Sequence, residues 1–436
     1  MGKYFGTDGI RNKADYFLQG EFSYRLGLSI GHVIKPDRVV IGNDTRQSGV
    51  EILKELSRGL IDSGVIVNHQ QDATTPMIAY YSAYKKVLGI MITASHNPYT
   101  DNGIKLFIDG HKSKDQLELM LEDFIDNGQP LIAKEKGSFN QINFVLEAYL
   151  NFIDSLDLNI SQLRVGFDAA NGAAYKVAPL IFNKYLKEVM SYNIEPDGKN
   201  INVGCGSTSI EFLQNKVLED KLDIGFAFDG DADRCLMVNK HGEVIDGDLM
   251  MYIYAKYMKK HHLLNHDHVV LTKMSNPGVI KAFEEANINV SLTDVGDKYV
   301  FKALEDHNYT LGGEASGHII LRHLFHSGDG LLMALYMLKI LSEENINLDH
   351  SLSHIKKYPF QMINIKNVDK SVLNHPLIID EIEKVKVVFK KDYLVLIRPS
   401  GTEPLIRVTM SYKDEKILNE QITHIVELIK KEGVIK

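Results

Sequence analysis

Val39-Val40-Ile41-Gly42-Asn43-Asp44-Thr45-Arg46 is a short apolar run that stops at a polar turn, and from Val50 to Ile61 the apolar residues recur at helical spacing. A short apolar run bounded by turn residues reads as a buried strand, and the 3.6-residue period reads as a helix laid against it. The pattern recurs. Leu88 to Ile92 is a second apolar run, closing on the polar Thr93 to Asn97. Arg164-Val165-Gly166-Phe167 leads into Asp168-Ala169-Ala170-Asn171-Gly172 and a helix-like run, and Ile224 to Phe228 feeds another polar loop. Val269-Val270-Leu271 leads into Ser275-Asn276-Pro277-Gly278 and a further helix-like run, and Tyr309-Thr310-Leu311 feeds a third, Gly-rich loop. This alternation predicts βα units on mostly parallel sheets. Any α/β chain shows some self-similarity, but the recurrence predicts three tandem similar α/β domains. The tail differs: Phe360 to Ile365 and Val385 to Ile397 read as strands and Ile417 to Lys431 as a helix, a smaller α+β domain. The expected domains are 1–140, 141–246, 247–356 and 357–436.

The composition excludes several classes. Of 436 residues, 44% are hydrophobic and 24% charged, the profile of a globular protein rather than a disordered or fibrous one. A net charge of −8 argues against a duplex nucleic-acid binder and against a polybasic membrane surface. Cys205 and Cys235 are the two cysteines, too few for a disulfide framework or a cysteine metal site, and a reducing cytoplasm is the expected home. Met1 to Asp15 lacks an apolar targeting core, Gly6 breaks the myristoylation pattern, and the apolar Leu331 to Leu341 is too short to span a bilayer.

Five polar loops could carry chemistry. In Thr93-Ala94-Ser95-His96-Asn97-Pro98, Ser95 beside His96 reads either as a nucleophile or as a helix cap. Downstream, Lys105 reads either as a group pointing back at an anion or as a surface lysine. Asp229-Gly230-Asp231-Ala232-Asp233-Arg234 is the strongest signal. If the segment is extended, its three carboxylates share a face and repel one another unless a hard cation such as Mg²⁺ joins them. It is not an EF-hand, because position 6 is Arg234 and position 12 is Lys240. In Gly312-Gly313-Glu314-Ala315-Ser316-Gly317-His318, Glu314 and Ser316 offer acceptors suited to a sugar diol and His318 a proton-transfer group; a tight turn with a packed histidine is the alternative. Arg398-Pro399-Ser400-Gly401-Thr402-Glu403-Pro404, with Arg407, reads either as a phosphate nest or as a plain turn, and it is not a nucleotide motif. The fifth loop is Gly6-Thr7-Asp8-Gly9-Ile10-Arg11, which reads either as a glycine-rich turn ending in arginine or as a disordered start. Only ten residues are arginine against 39 lysines, and Arg11, Arg234, Arg398 and Arg407 lie in or beside these loops. Concentrating guanidinium at a few points of an anionic chain favours a small phosphorylated substrate. Without a nucleotide motif, the phosphoryl donor is expected to be the enzyme itself, on Ser95.

Over its whole length the sequence resembles the α-D-phosphohexomutase superfamily, whose four loops are matched in order by Thr93 to Pro98, Asp229 to Arg234, Gly313 to His318 and Arg398 to Thr402. Phe5 to Arg11, Val295 to Val300 and Glu403 to Val408 resemble its bacterial amino-sugar branch. The resemblance implies four domains around a central cleft, with mixed, mostly parallel sheets in the first three. It implies a phosphoserine at Ser95, whose phosphate joins Asp229, Asp231 and Asp233 on Mg²⁺. It implies sugar contacts from Glu314 and Ser316, substrate contacts from Arg234 and Lys298, and phosphate binding by Arg398, Ser400, Gly401, Thr402 and Arg407. Arg11, His96, Lys105 and His318 are implied to surround the transferring group. A small sugar phosphate is the implied partner, with a hexose 1,6-bisphosphate as activator and intermediate, no nucleic acid or membrane, and a monomer or homodimer. Asn12, Ala315 and Lys298 depart from the pattern, where Gly, Gln and Arg are usual.

Overall fold

The computed structural model describes residues 2–130, 132–160, 163–344, 346–399 and 405–433. Three sheets share one arrangement. In the first, Ile66–Gln70, Arg38–Asn43 and Leu88–Ile92 run parallel, and Asp101–Ile108 lies antiparallel beside the last. In the second, the same positions are taken by Glu188–Tyr192, Arg164–Asp168, Ile224–Phe228 and the antiparallel Cys235–Asn239. In the third they are taken by Asn289–Thr293, His268–Thr272, Leu311–Gly313 and the antiparallel Ile319–Leu321. Each parallel pair is joined through a crossover helix, as parallel strands require. The three chemistry-bearing loops therefore occupy one topological position, the turn between the last parallel strand and its antiparallel partner. The fourth sheet is antiparallel, ordered Phe360–Lys366, Leu405–Ser411, Leu394–Pro399, with the helices Pro376–Phe389 and Glu415–Glu432 packed with it.

Packing separates three units from the fourth. One apolar cluster runs from Met77 and Phe107 in the first unit, through Tyr149 of the helix Phe144–Asp154, to Phe167, Phe226 and Leu271 in the second and third. The helix Gly330–Glu343, holding the apolar stretch noted above, is buried on nearly all sides within that cluster, which explains its uniform composition. The fourth unit closes its own core around Ile378, Phe389, Val408 and Ile425. The first unit also closes a second core of its own around Ile30, Ile52 and Leu56, so the shared core ties the units only where it runs, whereas the separately cored fourth unit is free to hinge.

Some local expectations fail for tertiary reasons. Val385 to Phe389 is not strand but the end of the helix Pro376–Phe389; the strand begins at Leu394. His375 caps that helix, Pro376 opens it, and Ile378, Val385 and Phe389 fall on its buried face, so packing overrides the strand preference of Val and Phe. The N-terminal turn is part of the sheet: Phe5–Gly6 pairs with Gly9–Lys13, which lies antiparallel to Asp101–Ile108. Gly312 and Gly313 belong to the strand Leu311–Gly313, so the third loop starts at Glu314.

Candidate active site

Ser95 follows the wholly buried strand Leu88–Ile92 and has a left-handed backbone, φ +51°. A serine is strained there and needs external support. Arg46 supplies it from beneath. Its guanidinium is fully buried and uses all five N–H groups: Nε on Asp44 Oδ2 at 2.9 Å, Nη1 on the carbonyls of Pro98 and Asp101 at 2.5 and 3.1 Å, and Nη2 on those of Ser95 and Asn97 at 2.8 Å each. Thr93 Oγ1 donates to Asp44 Oδ2 at 2.7 Å and accepts from Ser95 N at 2.9 Å, and Asn202 Nδ2 reaches the Ser95 carbonyl at 2.9 Å. In sequence Asn43 to Arg46 reads as a plain turn; the Asp-x-Arg pair at a strand end, using one of only ten arginines, is the local signal of its role.

The aspartate loop meets Ser95 directly. Ser95 Oγ donates to Asp229 Oδ2 at 2.5 Å and lies 3.2 Å from His96 Nδ1. Gly230 makes the approach possible, since a Cβ there would stand 2.5 Å from the Ser95 carbonyl oxygen. The loop is a turn, with Ala232 at φ +58°, and not the extended segment the spacing suggested. The turn nevertheless converges Asp229, Asp231 and Asp233, all buried, so that one oxygen of each lies within 4.8 Å of the others. Burial, with the charges of Asp233 and Asp231, pushes the Asp229 carboxyl well up. Asp231 Oδ1 and Asp233 Oδ1 are buried with no hydrogen-bond partner among the described residues. Three converging carboxylates with two free buried oxygens fit a hard divalent cation.

Lys105 is no surface lysine. It is buried within Asp101–Ile108, 2.9 Å from Asp231, 3.1 Å from Asp233 and 3.2 Å from Asp8. Burial opposes its charge, but Asp231, Asp233 and Asp8 outweigh burial and hold the ammonium well above its ordinary range. Arg11 pairs with Asp8 and lies 3.4 Å from Asn97 Oδ1. Arg234 caps Asp229 through its backbone N–H at 3.2 Å, its guanidinium 3.9 Å from Asp233. Burial, with Arg234 and Arg11 nearby, pushes the His96 imidazole down to about 3. Burial also opposes charge on His318, but Asp233 and Asp297, each 3.6 Å away, outweigh it and raise the imidazole.

The third loop borders a cavity of about 440 Å³ lined by Arg234, Glu314, Ser316, Asp246, Lys357 and Tyr358, the size of a small-molecule site. Glu314 Oε1 accepts from Gly296 N at 2.9 Å and Oε2 from Ser316 Oγ at 3.3 Å, so both side chains are held at the cavity edge. Lys298 is drawn instead to Asp115, 3.4 Å away, outside the carboxylate cluster. In the fourth sheet Arg398 and Arg407 stand opposite each other in register, and Arg407 Nε donates to Asn364 Oδ1 at 3.0 Å. Two guanidinium groups directly opposite repel unless an anion joins them. Ser400, Gly401 and Thr402 lie outside the described residues.

Four models of one family match consecutive stretches of the chain. Phosphoglucomutase/phosphomannomutase alpha/beta/alpha domains I, II and III match residues 2–131, 146–242 and 246–358, and the C-terminal domain matches 362–428. The phosphoglucosamine mutase of Clostridioides difficile (strain 630) is 40% identical over 443 residues, covering 98% of this chain and 99% of that one. A phosphoglucomutase/phosphomannomutase family protein of Burkholderia thailandensis superposes with a TM-score of 0.80 at 23% identity, covering 98% and 97% of the two chains. An N-acetylphosphoglucosamine mutase of Aspergillus fumigatus, solved with GlcNAc-6P and magnesium, superposes with a TM-score of 0.67 at 17% identity, covering 99% and 96%.

Proposed function

The chain belongs to the phosphoglucomutase/phosphomannomutase family, and on that premise we propose that it interconverts glucosamine 6-phosphate and glucosamine 1-phosphate through a phosphoserine at position 95. The observation that carries the chemistry is the Ser95 hydroxyl 2.5 Å from Asp229 in a buried aspartate triad. The choice of sugar is supported by the full-length similarity to phosphoglucosamine mutases.

Phosphoserine 95 donates to the free O1 or O6 hydroxyl of the sugar phosphate. The bond from phosphorus to Ser95 Oγ breaks, a bond to the sugar oxygen forms, and a hexose 1,6-bisphosphate results. The bisphosphate turns over in the cleft and returns its other phosphate to Ser95. In each transfer the proton given up by the accepting hydroxyl is taken up by the leaving oxygen, Ser95 Oγ in the first and the sugar oxygen in the second, so each half-reaction is proton-neutral. Asp229, Asp231, Asp233 and the oxygen on residue 95 would hold Mg²⁺, which supplies positive charge against the moving phosphoryl group. Arg11, Lys105 and Arg234 add fixed cationic charge on the same side, and His96 and His318 stand within reach for proton transfer. Glu314 and Ser316 hold sugar hydroxyls at the cavity edge. Arg398 and Arg407, with Ser400, Gly401 and Thr402, bind the phosphate that is not reacting. That nest takes either end of the intermediate, which lets one site serve both half-reactions. Closure of the separately cored fourth unit excludes water, so transfer outruns hydrolysis. Among the described residues no helix is long and apolar enough to cross a membrane, and the buried free thiols of Cys205 and Cys235 suit a reducing cytoplasm. There the product would feed UDP-N-acetylglucosamine and cell-wall precursor synthesis.

A phosphorus NMR time course with glucosamine 6-phosphate, Mg²⁺ and a trace of hexose bisphosphate tests the reading. A growing 1-phosphate signal is expected. Its absence, alongside clear isomerisation of glucose or mannose phosphate, would move the assignment to a phosphoglucomutase or phosphomannomutase. Inorganic phosphate outpacing isomerisation would indicate a phosphatase, and tight binding without turnover a silent binding protein.

A further inference from the structure

Beyond the residues above, one lysine joins two units of the frame. Asp101–Ile108 turns back into the two-residue strand His111–Lys112 through Asp109 and Gly110. Both turn residues have positive φ, +51° and +81°, the conformation an Asp-Gly hairpin favours. The tight turn carries His111 and Lys112 as a short rigid tip. That tip meets the third unit at the start of the helix Asp297–Asp306, where the His111 ring lies 5.0 Å from that of Phe301. The Lys112 ammonium sits between two carboxylates, Asp8 of the first unit and Asp297 of the third. Each carboxylate leads back to the chemistry. Asp8 also holds Arg11 and Lys105, and Asp297 Oδ2 is 3.6 Å from His318 Nε2, a buried atom with no hydrogen-bond partner among the described residues. Lys298 and Asp115 pair across the same two segments in the opposite sense, but Asp115 is largely exposed, so that pair adds little. The side chain of Lys112 is only 20% exposed and that of Asp297 15%, where loss of one partner leaves the other charge poorly solvated.

We propose that Lys112 is a positioning residue: by clasping Asp8 and Asp297 it fixes the wall carrying Ser95 against the wall carrying the sugar loop while the bisphosphate turns. The inference rests on the mutase reading above. Loosening the clasp widens the cleft at the stage when the bisphosphate is held by the fewest contacts, so the intermediate escapes more often.

The test uses Lys112→Met in the full chain, which keeps an unbranched side chain one atom shorter and removes the charge. Turnover number on the best hexose phosphate falls at least about ten-fold with KM within about two-fold, and free bisphosphate released per turnover rises at least about ten-fold. Hydrogen exchange at His111, Lys112 and the first turn of Asp297–Asp306 speeds up in the resting enzyme. Lys112→Arg restores rate and retention, and Asp297→Asn added to Lys112→Met makes neither worse. Unchanged turnover and bisphosphate release in Lys112→Met overturn the proposal. So does a raised KM at constant turnover number, which would make Lys112 a substrate contact, or lost stability with full specific activity. If Lys112→Met does not fold, Asp297→Asn is read on the same measurements, and wild-type rate and exchange in it overturn the clasp. If the unaltered enzyme isomerises no hexose phosphate, the mutase reading fails, and the exchange measurement still decides whether the clasp exists.

Discussion

Arg46→Lys keeps the positive charge under the Ser95 loop and changes only the number and geometry of donors. The guanidinium makes five hydrogen bonds, one to Asp44 and four to carbonyls of residues 95, 97, 98 and 101. An ammonium has three N–H groups, so at least two of the five acceptors lose their bond from residue 46. Each charge-assisted bond contributes about 1.5–3 kcal/mol, so the substitution costs the first unit about 3–6 kcal/mol before relaxation. Relaxation follows the weakest restraint, which is the left-handed backbone at Ser95 (φ +51°). Escape from that conformation moves Oγ away from Asp229, and a displacement of about 1 Å costs about 100-fold in rate. The assays are thermal unfolding, turnover number, and mass-spectrometric occupancy of phosphoserine 95. The unfolding midpoint of the first unit is expected to fall by about 10 °C or more. Turnover is expected to fall about 100-fold with KM little changed, since Arg46 is buried beneath the loop and out of reach of a ligand. Wild-type turnover and phosphoserine occupancy in a folded Arg46→Lys protein would refute the argument that this guanidinium holds the nucleophile.

Gly230→Ala places a methyl group 2.5 Å from the Ser95 carbonyl; turnover is expected to drop about 100-fold while circular dichroism stays unchanged. Adding Mg²⁺ to metal-stripped protein is expected to raise the unfolding free energy by about 2.7 kcal/mol at 100 times the dissociation constant, as read by urea unfolding, and Asp231→Asn to abolish that rise. Asp248 is buried with Oδ1 unpartnered, and burial, with Asp246 adding to it, pushes its carboxyl up to about 7. The folded state therefore binds the proton more tightly than the unfolded state, so this group's contribution to stability is present below about pH 4 and is lost as pH rises to about 7. Asp248→Asn, which can still accept from Asn276 N, is expected to stabilise the protein at pH 8 by up to about 4 kcal/mol and to leave it little changed at pH 4, as read by urea unfolding.

Much of this was legible in order along the chain. Apolar runs such as Val39 to Ile41 and Ile224 to Phe228 must be buried, and the turns that end them are written in Gly, Asp and Asn, so the repeated α/β plan and the aspartate loop follow from local chemistry. The strongest loop was legible without contacts, because the apolar run that feeds it, Ile224 to Phe228, must be buried, and three carboxylates carried out of water are costly unless a cation joins them. Contacts between residues far apart in sequence were beyond that reading. Locally, the Asp-x-Arg pair and the scarcity of arginine hint at Arg46, and nothing distinguishes Lys105 from a surface lysine; the role of each is defined by carbonyls or carboxylates brought to it by residues distant in the chain. Lys112 gains its place only when Asp297, 185 residues away, arrives beside it. Val385 to Phe389 has the composition of a strand, and only the core formed with Ile378 and Ile425 makes it helical. Backbone preference and burial are properties of neighbours in the chain; charge pairing and left-handed strain at Ser95 are stabilised by neighbours in space, and only tertiary structure supplies those.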